Sequence, residues 1–308
     1  MTPTGLTLLA CLALLAPVSG NAQINTVQAI APDVYFHQGD PRLGTCNNGW
    51  VVMADYVIEV DANYPVGAKI VIPKIRAITS KPIRFVIDTH FHPDHASGNK
   101  VWSDIGATVV AQAETLDELQ RTGADRWKEL AKTRPDVAAS SLKLPDVAYT
   151  DSMAFDDGVR RVELHYFGVG HTHGDTLVWL PREKILFTGD VSVNGSFNYL
   201  HDSNIGEWIR LLEAAKKLGA VTVCPGHGPI GGPEIIADQQ AYFIELMRGV
   251  REFVDAKETP AEVKAAAPGL AARIRTMKNI GRYVPTDFWF TAQVDKAYTE
   301  LGGQELPQ

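Results

Sequence analysis

The segment Thr89-His90-Phe91-His92-Pro93-Asp94-His95 puts three of the chain's nine histidines and an aspartate within six positions. Imidazole and carboxylate together, without thiolate, suit a borderline divalent cation such as Zn²⁺, with Fe and Mn as competitors. Three other stretches end in side chains of the same kind: Gly170-His171-Thr172, Thr188-Gly189-Asp190 and Pro225-Gly226-His227-Gly228. A glycine or proline beside each lets the backbone turn sharply and approach a bound ion. One zinc takes about four ligands, and a catalytic zinc leaves one position to water. His90, His92, Asp94, His95, His171, Asp190 and His227 are too many for one ion and fit two. Two adjacent ions offer hydrolysis by activated water, with no serine or cysteine nucleophile required. The chain has no Gly-x-Ser-x-Gly elbow, so a serine-hydrolase reading has no support.

Ligands need rigid platforms, and strand ends supply them. Ile83–Asp88 is a short β-branched apolar run, the pattern of a strand buried on both faces, and the histidine turn follows it. His171 follows an expected strand over Val162–Phe167, Asp190 one over Ile185–Phe187, and His227 one over Val221–Cys224. Val34–Ala62 reads as several short strands joined by turns, and a second block of strands is expected from near Val159. Helices are expected over Val66–Thr79, near Ala96–Ile105, over Glu114–Thr133 and over Ile235–Lys257, with more helix to about Leu301. Ile205–Leu218 is amphipathic, with Trp208, Leu211, Leu212 and Ala215 on one side. Pro135–Asp146 reads as loose surface chain. Strands and helices alternate in two halves, which suggests sheets covered by helices.

At 308 residues, 45% hydrophobic and 21% charged, the composition is that of a soluble globular protein, and one large domain is the expectation. A net charge of −7 makes the chain as a whole a poor partner for nucleic acid. Leu6–Val18 is an apolar run too short to span a bilayer, and Gly20-Asn21-Ala22 resembles a small-x-small cleavage site. Residues 1–22 are therefore expected to be a secretory signal, with residues 23–308 exported to the periplasm or beyond as the hydrolase domain with its C-terminal helices. A lipoprotein anchor at Cys11 would cut the apolar run in half and ranks lower. Removal of the signal leaves Cys46 and Cys224, which could pair in an oxidising compartment.

His90-Phe91-His92-Pro93-Asp94-His95 resembles the HxHxDH signature of the metallo-β-lactamase superfamily, with His171, Asp190 and His227 in that family's order. The resemblance runs from about residue 30 to 235. It implies an α/β fold, a four-layer αββα sandwich with two sheets face to face and the metals at one edge. It assigns His90, His92 and His171 to one zinc and Asp94, His95 and His227 to the other, with Asp190 bridging. Cysteine-ligand β-lactamases have a cysteine where Asp190 stands, and diiron flavoproteins have a glutamate where His92 stands. Asp190 instead resembles the glyoxalase II, lactonase and general hydrolase branches.

In such a centre Asp94 would be the catalytic residue, orienting the nucleophile and carrying a proton to the leaving group. His173, Asn194 and Tyr199 are the candidate substrate contacts, the last two within the loop Val193–Tyr199 expected to line the pocket. Asp88 and Asp175 would either support ligand imidazoles or cap turns. Trp50 and Phe91 would be either pocket walls or core. Arg273, Arg275, Lys278 and Arg282 would either hold an anionic substrate or form a solvated face. The leading function is an exported zinc hydrolase opening amide, ester or lactone bonds of a small molecule, with β-lactams among the candidates. Val193 stands where the cysteine-ligand enzymes carry a lysine. The alternatives are a glyoxalase II-like thioesterase, a lactonase, a phosphodiesterase and a non-enzymatic zinc-binding protein.

Overall fold

The computed structural model describes residues 24–195 and 197–306; the expected signal and Cys11 lie outside the described residues. Seven strands form one sheet in chain order: β1 (Val27–Ala31), β2 (Val34–His37), β3 (Asn48–Val52), β4 (Val57–Val60), β5 (Ile83–Asp88), β6 (Thr108–Gln112) and β7 (Val147–Tyr149). β1 to β4 are antiparallel, and β4 to β7 run parallel. The second sheet holds β8 (Ser152–Asp156), β9 (Arg161–His165), β10 (Leu177–Leu180), β11 (Ile185–Gly189) and β12 (Thr222–Pro225), in the order β12-β11-β10-β9-β8. Only its β11–β12 pair is parallel.

The helices are α1 (Pro65–Ile78), α2 (Pro93–Ala96), α3 (Asn99–Ser103), α4 (Ala113–Ala131), α5 (Pro135–Ala138), α6 (Ile205–Lys217), α7 (Glu234–Asp255), α8 (Pro260–Arg275) and α9 (Asp287–Glu300). Strand periodicity of two sorts the apolar side chains into three layers. Val51, Ile58 and Ile87 of the first sheet meet Val178, Leu180 and Phe187 of the second between the sheets. Trp50, Val57 and Val86 point the other way, onto Ala68, Val71 and Ile75 of α1. Leu177, Trp179, Leu186 and Val223 face Trp208, Leu211 and Leu212 of α6 and residues of α7, α8 and α9. With both faces covered, strands such as Leu177–Leu180 read as continuous apolar runs. The result is the four-layer αββα sandwich.

The structure differs from the sequence reading at several elements. β1, β7 and β8 are additional strands; each carries exposed positions, so none has a strong buried pattern. The helix expected over Ala96–Ile105 is two short ones, α2 and α3. Gly98 between them donates its N–H to Asn63 O at 2.6 Å, and a Cβ there would fall 2.1 Å from the Ala62 carbonyl oxygen. The stretch expected to be loose contains the one-turn α5. Cys46 and Cys224 are both free and both buried.

Candidate metal centre

Four strand-to-loop transitions meet at one edge of the sandwich. β5 ends at Asp88, and the chain runs through Thr89 to His92, whose extended backbone caps α2, the one-turn helix bearing Asp94 and His95. Asp190 follows β11 and His227 follows β12, its parallel neighbour. Two glycines make these turns possible. A Cβ at Gly189, where φ is +48°, would lie 2.4 Å from Thr89 Oγ1, and one at Gly226 would lie 2.1 Å from Asp190 Oδ1. Asp175 fixes the His171 turn, accepting from Thr172 N–H on both oxygens (3.1 and 3.0 Å) and from Thr172 Oγ1 (2.6 Å).

The ligand-type atoms of His90, His92 and His171 lie within 4.8 Å of one another, and so do those of Asp94, His95 and His227. His90, His95 and Asp190 form a third such group, which links the two. Asp190 Oδ2 stands 3.7 Å from His171 Nε2 and 3.4 Å from His227 Nε2, so it faces both sets. Asp94 Oδ2 is 3.0 Å from His227 Nε2.

Partners behind two of the rings assign their tautomers. His92 Nε2 lies 2.9 Å from Asp202 Oδ2. His90 Nδ1 lies 3.1 Å from Thr89 Oγ1, which donates its own proton to Asp61 Oδ1 at 2.7 Å. His95 Nδ1 lies 2.9 Å from Asp61 Oδ2, an ion-pair contact outside hydrogen-bond geometry that does not fix that ring's tautomer. An outer nitrogen facing an acceptor carries the proton, so the inner nitrogen presents a lone pair. His92 Nδ1 and His171 Nε2 lie 2.9 Å apart, and His171 Nδ1 is buried with no hydrogen-bond partner. His90 Nε2 and Asp190 Oδ1 are buried with no hydrogen-bond partner. Ring nitrogens crowded together beside unpartnered buried polar atoms are what a cation relieves, so these residues fit one.

The electrostatics divide the same way. Burial, reinforced by neighbouring imidazoles, holds His90 well below the ordinary histidine value and lowers His171 to about 3. Burial also opposes charge on His227, but Asp190 and Asp94 outweigh it and raise that ring to about 10. Burial opposes charge on Asp94 as well, yet His95 and His227 keep it well below the carboxylate range. Burial thus keeps His90 and His171 neutral, while His227 with Asp94 and Asp190 forms a set of ion pairs that a cation would replace.

The centre opens into a cavity of about 460 Å³ whose wall includes His92, Asp94, His171, Asp190 and His227, with Phe197, Asn198, Tyr199, Asp202 and Arg126. Of the expected substrate contacts, Tyr199 lines this wall. His173 is exposed and is not part of it. Asn194 also stands outside the wall: its Nδ2 donates to Pro229 O (2.8 Å) and its N–H to His227 O (2.9 Å), clamping the two ligand-bearing loops. Trp50 is fully buried against α1, stacked on Tyr35, and Phe91 packs with Ala96 and Leu119 under Arg126. Asp88 accepts from Asn99 Nδ2 (2.7 Å), joining β5 to α3. In the basic cluster, Arg273 pairs with Glu252, Arg275 with Asp287 and Arg282 with Asp238.

Asp61, Asp202 and Arg126 were not singled out by the sequence reading. Asp61 carries the same signal as Asp190, a carboxylate at a strand end. Asp202 precedes α6 in a polar stretch indistinguishable from a helix cap, and Arg126 sits mid-helix among other charges.

The family model of the metallo-beta-lactamase superfamily matches residues 53–227, more than half of the chain. A metallo-beta-lactamase type 2 of Bacteroides fragilis is 30% identical over 49% of this chain and 55% of its own length. The corresponding Bacillus cereus protein is 29% identical over 49% and 54%. The chain thus spans about half the length of these curated relatives. A solved metallo-beta-lactamase from Pontibacter korlensis superposes with a TM-score of 0.60 at 20% identity, over 71% of this chain and 98% of that one. Signature, sandwich and convergent ligand set agree, and the chain belongs to the metallo-beta-lactamase superfamily.

Proposed function

We propose that residues 23–308 form one exported hydrolase domain that holds two zinc ions and opens amide, ester or lactone bonds of small molecules. The observation that carries this reading is the convergence of the ligand-type atoms of His90, His92 and His171 on one side and Asp94, His95 and His227 on the other, with Asp190 beside His171, His95 and His227. When bound, such cations would activate water near neutral pH and polarise the bond to be cleaved. Asp94, a carboxylate at the cavity wall 3.0 Å from His227 Nε2, is suited to orient the attacking water and pass its proton to the leaving group. Thr89, anchored by Asp61, and Asp202 hold His90 and His92 in the tautomers that ligation requires. Tyr199 would contact the substrate.

β-Lactams are candidate substrates because both curated relatives bear that activity in their names. Asp190, where the cysteine-ligand branch has cysteine, favours a lactone or thioester as the second reading. Val193, at the position of that branch's lysine, is buried in the core and offers no cation to a substrate carboxylate. Export rests on the N-terminal apolar run and its small-residue boundary. No helix among the described residues is long and apolar enough to cross a membrane.

The test is a turnover panel on zinc-loaded mature protein with a chromogenic cephalosporin, an acyl-homoserine lactone, a glutathione thioester and a phosphodiester. Cleavage of an acyl compound, lost on chelation and restored by zinc, is expected. Cleavage of the phosphodiester alone, or of nothing, would overturn the reading.

A further inference from the structure

Phe197, Tyr199, Phe288 and Trp289 are 36%, 42%, 76% and 40% exposed, and they are the only exposed Phe, Tyr or Trp side chains among the described residues. All four stand at one place. The Trp289 ring lies 5.8 Å from Phe197, 6.3 Å from Tyr199 and 5.3 Å from Phe288. Phe197 and Tyr199 belong to the loop that follows Asp190, and Phe288 and Trp289 to the first turn of α9. Folding alone gives no reason to gather exposed rings, and such patches mark binding sites.

Three of the rings, Phe197, Tyr199 and Trp289, edge a cavity of about 360 Å³ that shares Phe197, Asn198 and Tyr199 with the wall of the metal cavity. Tyr199 stands between the two, its ring 6.0 Å from His92 on one side and 6.3 Å from Trp289 on the other. The two cavities adjoin through these three shared residues, with the ligand cluster on one side and the aromatic corner on the other. Tyr199 meets Trp289 edge-on at 77° and Phe197 meets it tilted at 31°, so the rings present both faces and edges at the corner.

Several polar groups in this second cavity engage others within the protein, while His201 and Glu305 at its wall are exposed. Lys296 Nζ lies 3.6 Å from Glu300, and Asp295 Oδ1 accepts from Leu306 N–H at 2.7 Å. Gln293 donates to Asn198 O at 2.8 Å and accepts from the Tyr242 hydroxyl. The rings of Phe197, Tyr199 and Trp289 are the aromatic surface that the cavity offers a ligand. α9 also lies beyond residue 227, where the family match ends, so this wall is outside the stretch that defines the family.

We propose that the aromatic corner binds an apolar, aromatic arm of the substrate, about two ring widths from the bond that is cleaved. This rests on the hydrolytic reading of the adjoining centre. The substrate class is thus an acyl compound with an arylalkyl substituent, and α9 sets that specificity.

Butyrate and 4-phenylbutyrate share a carboxylate and differ by the ring, so calorimetric titration of both into the zinc-loaded protein isolates the corner. Burying a phenyl group predicts binding at least about tenfold tighter for 4-phenylbutyrate. Trp289→Ala should bring the ratio of the two dissociation constants below about threefold, and Trp289→Phe should keep most of it. Circular dichroism melting establishes that the variants fold, as expected for an exposed side chain. A ratio near one in the parent, or an unchanged ratio in Trp289→Ala, overturns the proposal. Self-association abolished by Trp289→Ala would assign the patch to a second copy of the chain and overturn it as well. No turnover is needed: discrimination without hydrolysis of any panel compound sinks the hydrolase reading alone, while hydrolysis without discrimination sinks the aromatic arm site alone.

Discussion

Asp202 Oδ2 lies 2.9 Å from Nε2 of His92, on the far side of the ring from the Nδ1 that faces His171. The carboxylate holds one ring proton outward and so leaves a lone pair directed into the cluster. Burial opposes its charge, but the bond to His92 keeps Asp202 below the ordinary carboxylate range. Asp202→Ala should lower metal affinity about 10- to 100-fold, whereas Asp202→Asn, which can still accept from Nε2–H, should lose less. Zinc titration against a chromophoric chelator reads both; equal affinity in parent and Asp202→Ala would remove the orienting role.

Gly226 tests the packing behind the centre. A Cβ there would fall 2.1 Å from Asp190 Oδ1 and 2.7 Å from the Gly189 carbonyl carbon, and the second contact is rigid backbone. Gly226→Ala must push β12 and β11 apart at the point where they deliver His227 and Asp190. A cost of about 1–3 kcal/mol is expected, with metal content falling from two ions toward one. Thermal melting of metal-free protein and elemental analysis of loaded protein separate the two effects.

Asp94 is held ionised by His95 and His227 and stands at the cavity wall. Asp94→Asn keeps the volume and one acceptor oxygen but cannot take up a proton. Turnover should fall at least about 100-fold. Asp94→Ala and His92→Ala should abolish it. Full activity in Asp94→Ala under saturating zinc would reject the proton-transfer role.

What was legible in the sequence followed from chemistry that acts locally. Short apolar runs ending in Gly-His or Gly-Asp announce buried strands with ligands at their tips, because strand burial and loop exposure are both written in neighbouring residues. Trp208, Leu211, Leu212 and Ala215 gave the buried face of α6 by spacing alone, and all four are buried there. β7 and β8 were hidden because exposed edge strands need no apolar run. Asp202 was hidden for a different reason: it comes within 2.9 Å of a histidine 110 residues away, and only the assembled sandwich makes them neighbours. Trp289 likewise gains meaning only where α9 meets the loop after β11.

His37 predicts acid sensitivity remote from the centre. It is buried on β2, and burial, aided by Lys74, lowers its pKa from the ordinary 6.5 to about 4. Between those values the unfolded chain binds a proton that the folded chain does not. Stability is therefore fully present above about pH 6.5 and is lost as pH falls toward 4, by up to about 3 kcal/mol. His37→Phe fills the buried site without a titrating group. Urea unfolding of parent and variant, both with chelator present so that the metal-site histidines titrate alike, should show the difference between them shifting by about 2–3 kcal/mol in the variant's favour from pH 7.5 to 4.5. A difference that stays constant across this range would mean that His37 is protonated in the folded protein or reaches solvent.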